Sequence, residues 1–546
     1  MSGDNLMGIR DRFFSAMILA AVSAGLANGQ ATSSGSNSAQ PHLEKRGSVT
    51  QLVVDGKPFL ILGAELHNSS SSSLAYMAPI WPKLKEIPLN TVLTPLSWEL
   101  IEPQEGQFDF SLVDGLLKQA REQQLKVVFL WLASWKNGMS SYAPVWVKDN
   151  PKRFPRVLEN GQPVEVLSTL GSETVKADSK AFAALMRHIK EVDSADHTVL
   201  MMQVENEVGV LGASRDQSPA ANSAFASAVP AELMRYLGAH RDKLFGDLRD
   251  RWQENGGKTS GTWEQVFGDS ARADEIFMAW NYSRYVNAVA AAGKAEYDIP
   301  MYTNTWLASP EADPGDYPSG GAQPWVIDVW KAGGNAIDFV SPDIYAPNFT
   351  EFCRWYSRPD NPLFIPEMSN NDASAGNVFY AIGERAAIGV SPFGIDSGGE
   401  TKNEIGKNYA ALREVMPIVL EAQAKGTIHG FLVSQGGYST RTFRMQGIDV
   451  KVSPDEIFGS RAKEGYGLVI ATGPDEFLGV GRGFRVSFAG QAGEEMGIGA
   501  IVQGQYSDGQ WVPGRQLNGD ENDQGKYWRF SPDAVNIEKA TVYRFK

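Results

Sequence analysis

Thr198-Val199-Leu200-Met201-Met202-Gln203-Val204-Glu205-Asn206-Glu207 is the stretch on which the fold turns. An apolar run of strand length ends in two carboxylates. A second run, Pro362-Leu363-Phe364-Ile365-Pro366-Glu367-Met368, has the same form. Near-continuous hydrophobics mark a strand buried on both faces, as in a parallel sheet. A carboxylate ending such a strand costs several kcal/mol if it is desolvated and unpaired. The position therefore points to chemistry rather than packing. The plainer reading is a pair of solvated glutamates bridged to Lys or Arg.

Working outward, six further runs of the same texture appear: 59–64, 91–94, 127–131, 299–303, 339–342 and 388–393. Helical stripes separate them. In 111–124 the apolar positions are 112, 113, 116, 117 and 120; in 180–192 they are 182, 185, 186, 189 and 192. Both are single-faced patterns of helical period. Eight strand–helix units predict a (β/α)₈ barrel over residues 48–425, with 199–204 as strand four and 363–365 as strand seven. Residues 208–298 exceed one crossover and predict a helical insertion over the active face, Ala231–Leu244 being one helix of it. After 426 the texture changes to short alternating runs between Gly and Asp, such as 467–470, 483–488 and 541–545. Residues 426–546 are therefore expected to form a β-sandwich.

The N-terminus reads as an export signal over residues 1–27, with Arg10 and Arg12 before an apolar segment, Phe13–Ala24, too short to span a bilayer. Either Met1 or Met7 serves as the start in this reading. A polar linker is expected over 28–47, and the destination is the periplasm or the exterior. The chain has 546 residues and a net charge of −14 without a basic block, so nucleic acid and anionic membrane are poor partners. A single cysteine, Cys353, excludes an internal disulfide and a multi-cysteine metal site, and the six histidines show no ligand spacing. No cofactor and no metal are called for; the oligomeric state is left open.

Two carboxylates on strands four and seven of one barrel suit hydrolysis of a sugar acetal with retention, one as acid/base and one as nucleophile. Trp98, Trp131, Trp135 and Trp306 fall at strand ends, where aromatic faces suit the C–H faces of sugars. Each of them taken singly is more often a core residue. Glu65 and Asn304 are weaker candidates for contacts to hydroxyls. Glu205, two residues before Glu207 on the strand, shares its side and is read as a supporting residue.

Gln203-Val204-Glu205-Asn206-Glu207 resembles the acid/base motif of the β-galactosidases of glycoside hydrolase family 35. Trp98-Glu99-Leu100-Ile101-Glu102-Pro103, with Gly106-Gln107-Phe108-Asp109-Phe110, is similar to that family's strand-two segment, and Pro366-Glu367 to its nucleophile stretch. The resemblance implies Glu207 as acid/base and Glu367 as nucleophile. It implies Asn206 on the sugar 2-hydroxyl and Tyr345 donating to Glu367. The chain departs from the family in two places. Val208 stands where Tyr or Phe is usual, and Ala133-Ser134-Trp135 stands where a Glu-Trp pair is common, so Ser134 takes the place of a sugar-contacting carboxylate. The resemblance thus implies a divergent, exo-acting, retaining β-galactosidase acting on galactose-containing oligosaccharides or polysaccharides. The alternatives are a β-glucosidase or β-mannosidase type of the same clan, or a glycan-binding barrel without catalysis.

Overall fold

The computed structural model describes residues 39–397, 402–434, 440–457, 459–491 and 494–546. The expected export signal, and the linker as far as residue 38, lie outside them.

Eight parallel strands form the barrel: β1 (Ile61–Glu65), β2 (Thr91–Ser97), β3 (Lys126–Lys136), β4 (Val199–Asn206), β5 (Met301–Trp306), β6 (Phe339–Asp343), β7 (Phe364–Met368) and β8 (Gly389–Pro392). Their spatial order is β6-β5-β4-β3-β2-β1-β8-β7. The ring closes between β6 and β7, where Ile344 bridges Met368 and its N–H donates to the Glu367 carbonyl at 2.9 Å. Each strand leads to a helix: α1 (Ile80–Lys85), α2 (Ser111–Glu122), α3 (Ser172–Asp193), α4 (Ala271–Glu296), α5 (Ile327–Gly333), α6 (Phe349–Tyr356), α7 (Asn377–Arg385) and α8 (Lys402–Lys425). The stripes behave as their spacing requires: Val113, Leu116, Leu117 and Ala120 of α2 are buried, as are Phe182, Leu185, Met186 and Ile189 of α3. Between β4 and α4 stand four further α-helices, among them Ala231–Ala239, which ends sooner than the sequence suggests and passes into a 3₁₀ turn at Arg241–Lys243. Among the described residues no helix is long and apolar enough to cross a membrane.

The stretch expected as linker is ordered from its described start. His42–Arg46, Val49–Val54 and Lys57–Phe59 make an antiparallel meander. Its Leu52 and Val54 join Ile61, Leu93, Val128, Leu200, Tyr302, Phe339 and Phe364 in one core. These residues sit near the N-terminal ends of the strands, so the meander plugs the barrel floor. His42–Arg46 is strand where a linker to Gly47 is expected; a strand pairing partner, Gln51 for Glu44, is a signal that local composition does not carry.

Beyond α8 the described residues form two large antiparallel sheets and a short two-stranded one, Glu456–Ile457 with Ser460–Arg461. The larger runs, in spatial order, 428–434, 464–473, 476–482, 536–544, 496–507 and 510–517; the smaller runs 441–445, 448–454, 484–489 and 528–530. Alternation along Leu468-Val469-Ile470-Ala471 shows why both faces of the larger sheet are buried. Leu468 and Ile470 belong to the core shared with the barrel, while Val469 and Ala471 pack with Phe484, Trp528 and Phe530 inside the sandwich. Gly430 fits α7 only because it lacks a Cβ, which would lie 2.1 Å from the Phe379 carbonyl oxygen and 2.9 Å from the Cα of Gly383.

Candidate active site

The C-terminal ends of the strands meet in a cavity of about 580 Å³ lined by Lys136, Asn137, Glu207, Trp306, Leu307, Asp343, Tyr345 and Glu367, with Asn68, Ala346 and Phe393 at its margin. Carboxylate oxygens of Glu207, Asp343 and Glu367 lie within 4.8 Å of one another. Glu207 and Glu367 are 5% and 4% exposed. Both strands run parallel, so both carboxylates reach the same face, and the barrel's curvature aims them at one point.

The end of β4 is bent to do this. Glu205 and Glu207 carry φ values of 60° and 45°, in the left-handed region, each at a cost of about 1–2 kcal/mol for a residue with a Cβ. Hydrogen bonds hold the bend. The Glu205 carboxylate accepts from the N–H groups of Ser134 (3.2 Å) and Trp135 (2.7 Å). The Glu207 N–H donates to Asn304 Oδ1 at 2.9 Å, and the Glu207 carbonyl accepts from the Gly138 N–H at 3.1 Å. Glu205 is thus bound to backbone and faces Asp178. Burial first, and then the Asp178 carboxylate, push its carboxyl well above the usual range.

The four carboxyls at the mouth are Glu65, Glu207, Asp343 and Glu367. Burial first, and then the charge of Glu367, raise Glu207 to about 7. Asp343 is fully buried and raised well above the carboxylate range, again by burial first and by Glu367 and Glu207 next. Tyr345 Oη donates to Glu367 Oε2 at 2.8 Å. Asn137 donates from its side chain to Glu207. Lys136 is the counter-charge: burial alone lowers its pKa, but Glu367, Glu207, Glu65 and Asp343 together leave it raised. Its ammonium, on a residue 7% exposed that lines the cavity, makes no ion pair within 4.0 Å among the described residues. Glu207, Asp343 and Glu367 are spaced as three ligands of a divalent cation would be, and the Lys136 charge opposes a cation there.

The expected residues divide into three groups. Trp306 and Tyr345, 40% and 49% exposed, stand in the cavity with Glu207 and Glu367. Asn206, Asn304 and Glu65 lie buried beneath it. Asn304 is not free for a hydroxyl, because its Nδ2 donates to Asp343 Oδ2 (2.7 Å) and Glu367 Oε1 (3.4 Å) while its Oδ1 holds the Glu207 N–H. The side-chain oxygens of Glu65 and both amide atoms of Asn206 have no protein partner among the described residues. Burial first, then Glu367, raise Glu65 well above its usual range.

Trp98, Trp131, Trp135 and Ser134 are the corrections. All four are fully buried with their polar atoms satisfied away from the cavity. Trp98 Nε1 donates to Glu102, Trp131 Nε1 to Asp178, and Trp135 Nε1 to the Leu167 carbonyl. Ser134 Oγ donates to Asp178 at 2.6 Å. Tyr282 and Tyr285 of α4 cover the Trp135 ring edge-on. The register of β3 against β4 shifts between Trp131 and Lys136, so alternation counted from the strand does not say which side chain emerges. Lys136 emerges, with Asn137 after it. Asp343 is legible by the strand-end argument already applied to Glu207, since it ends β6.

Comparison with known proteins finds β-galactosidases among the similar sequences. A family model described as β-galactosidase, of glycoside hydrolase family 42 type, matches residues 79–270. A domain of unknown function, DUF5597, matches 405–529. A β-galactosidase of Xanthomonas manihotis is 33% identical over 172 residues, 29% of this chain and 25% of that one. Beta-galactosidase 11 of Arabidopsis thaliana is 30% identical over 118 residues, 20% of this chain and 13% of that one. The chain thus spans a quarter or less of the length of these relatives. Among solved structures, the cold-adapted β-galactosidase of Rahnella sp. R3 aligns at a TM-score of 0.44 and 15% identity, covering 66% of this chain and 56% of that one. The β-galactosidase of Bacillus circulans sp. alkalophilus aligns at 0.43 and 16% identity, covering 66% and 57%.

Proposed function

We propose that the protein is a retaining β-galactosidase that removes terminal β-galactosyl residues from glycans, with Glu207 as acid/base and Glu367 as nucleophile. The observation that carries the mechanism is the approach of the three carboxylates, within 4.8 Å oxygen to oxygen. Retaining enzymes hold their carboxyl pair roughly 5–5.5 Å apart, whereas inverting enzymes leave about 6.5–9.5 Å for a water. The choice of sugar rests on the β-galactosidase match over 79–270. The narrower placement in family 35 rests on the acid/base and strand-two motifs.

In the first step Glu367 attacks the anomeric carbon while Glu207 gives its proton to the leaving oxygen. In the second, Glu207 takes a proton from water, and that water releases the sugar from Glu367. A Glu207 raised to about 7 is still largely protonated below neutrality, as the first step needs. Tyr345 Oη fixes the attacking oxygen of Glu367. Asn304 ties Glu207, Asp343 and Glu367 into one rigid unit. Trp306 offers an aromatic face to the sugar. Export of the protein is part of the same reading and rests on residues 1–27.

Nitrophenyl glycosides of galactose, glucose and mannose, assayed side by side, test the proposal. Release from the β-galactoside above the others supports it. Preference for the β-glucoside or β-mannoside moves the enzyme within its clan, and no release from any sugar favours a glycan-binding protein.

A further inference from the structure

Beside the catalytic cavity lies a second, more enclosed one of about 260 Å³, lined by Asn68, Ser69, Ser97, Glu99, Leu100 and Tyr142 among others. Asn68 lines both cavities. The lining segments follow β1, β2 and β3, so the second cavity opens on the same C-terminal face of the barrel. We propose that it is a binding subsite for a second neutral sugar residue of the substrate. The proposal rests on the glycosidase reading and extends it.

The chemistry of the walls carries the assignment. The hydroxyls of Ser69, Ser97 and Tyr142 line the same cavity and make no hydrogen bond within the described protein; Ser97 is buried, Tyr142 half-buried and Ser69 exposed. Ser97 stands at the N-cap of the short helix Trp98–Ile101 yet makes no side-chain cap bond, so its hydroxyl is left for another partner. Asn68 Oδ1 is likewise buried and unpartnered. Donors and acceptors in this mixture match sugar hydroxyls, which both give and take. Pro95, Leu100 and Leu112 supply an apolar side for the C–H face of a ring, and Leu100 is 40% exposed. Glu99 is the only charged residue of the lining, held by Lys148 at 3.7 Å, so an anionic ligand finds no cation there and a neutral sugar fits. The volume leaves room for about one pyranose ring, which fits a single additional unit rather than a long groove.

The test compares one-unit and two-unit substrates in the full chain. Tyr142→Phe and Ser97→Ala each remove one hydroxyl, and Leu100→Trp fills the space. The substrates are nitrophenyl β-galactoside, nitrophenyl β-galactobioside and a set of neutral β-galactosyl disaccharides. Each hydroxyl deletion is expected to lower kcat/KM on two-unit substrates about three- to tenfold. Leu100→Trp is expected to lower it more, and all three variants are expected to leave nitrophenyl β-galactoside within about twofold. An effect on disaccharide cleavage places the second unit on the leaving-group side; an effect on direct nitrophenol release from the galactobioside places it on the other side and contradicts exo action. Equal losses on one-unit and two-unit substrates, or none on either, overturn the subsite. If the wild type cleaves no β-galactoside, the proposed function falls. The subsite is then judged by calorimetric binding of the disaccharide set to wild type and Leu100→Trp. Loss of binding on filling the cavity supports it, and unchanged or absent binding overturns it.

Discussion

The floor and the mouth of the barrel are made by the same eight strands and could hardly differ more in content. At the floor, Leu52, Ile61, Leu93, Val128, Leu200, Phe339 and Phe364 close an apolar layer under the N-terminal meander. At the mouth, Glu65 and Asn206, which end their strands, carry buried polar atoms without protein partners among the described residues, and four carboxyls act on one lysine. Unpaired buried polar groups and crowded like charges cost stability. The floor supplies the burial that tolerates this cost, and the mouth spends it on groups kept ready for a substrate. Changes at the mouth should therefore act on turnover, and changes at the floor on stability.

The largest effect is expected from Glu367→Ala. With no nucleophile there is no covalent intermediate, and turnover should fall by about 10⁴-fold or more on every substrate, while the melting temperature holds or rises. Azide added to this variant should give an α-glycosyl azide. Residual activity of more than a few per cent would break the assignment.

Glu207→Ala should be milder and selective. General acid catalysis contributes about 10²–10⁴-fold. Substrates with poor leaving groups should lose all of that, and activated nitrophenyl glycosides much less in their first step. Azide should restore turnover as a β-product. Equal losses on both substrate types, without rescue, would show that Glu207 transfers no proton.

At the floor, Leu200→Ala should cost about 2–5 kcal/mol of unfolding free energy, read by denaturant titration, because the plug cannot collapse into the space left behind. Its kcat/KM well below the melting transition should stay close to that of the wild type. A loss of activity without a loss of stability would erase the distinction between the two regions.

The smallest effect is expected in the pH profile. As the proposed acid Glu207 must be protonated to act, and it is raised to about 7, so kcat/KM should fall as pH rises through about 7. The Lys136 charge favours ionised Glu207 and so lowers its pKa. Lys136→Met should remove that pull and move the alkaline limb to higher pH, with the rate at the optimum about tenfold lower. An unmoved limb would mean that the ammonium does not sense Glu207.

The two regions also differ in how far the sequence discloses them. All eight barrel strands are legible, because strands buried on both faces are apolar almost without interruption and the helices between them keep a single stripe. The same continuity hides which side chains face inward. An alternating strand announces its faces, but Phe129-Leu130-Trp131-Leu132-Ala133-Ser134-Trp135 does not, and the register shift before Lys136 removes the count altogether. Trp131 and Trp135 are therefore expected in the cleft and lie in the core, while Lys136, which no pattern singles out, lines the cavity. Glu207 and Glu367 are legible for the opposite reason, since a carboxylate at the end of an apolar run has few structural excuses. Asn304 shows a further limit: a polar residue at a strand end can serve other side chains rather than a ligand, and only its partners tell which.

The central claim is that Glu367 attacks the sugar from across the cavity that Glu207 shares. A 2-deoxy-2-fluoro-β-galactoside with a good leaving group tests it directly, because the fluorine slows both steps while the good leaving group speeds only the first, so the intermediate accumulates. Mass spectrometry of the intact protein, followed by peptide mapping, should find one fluorogalactosyl unit attached to Glu367, with Glu207 unlabelled. A label on another residue, or turnover that releases the α-anomer without any adduct, would contradict the account.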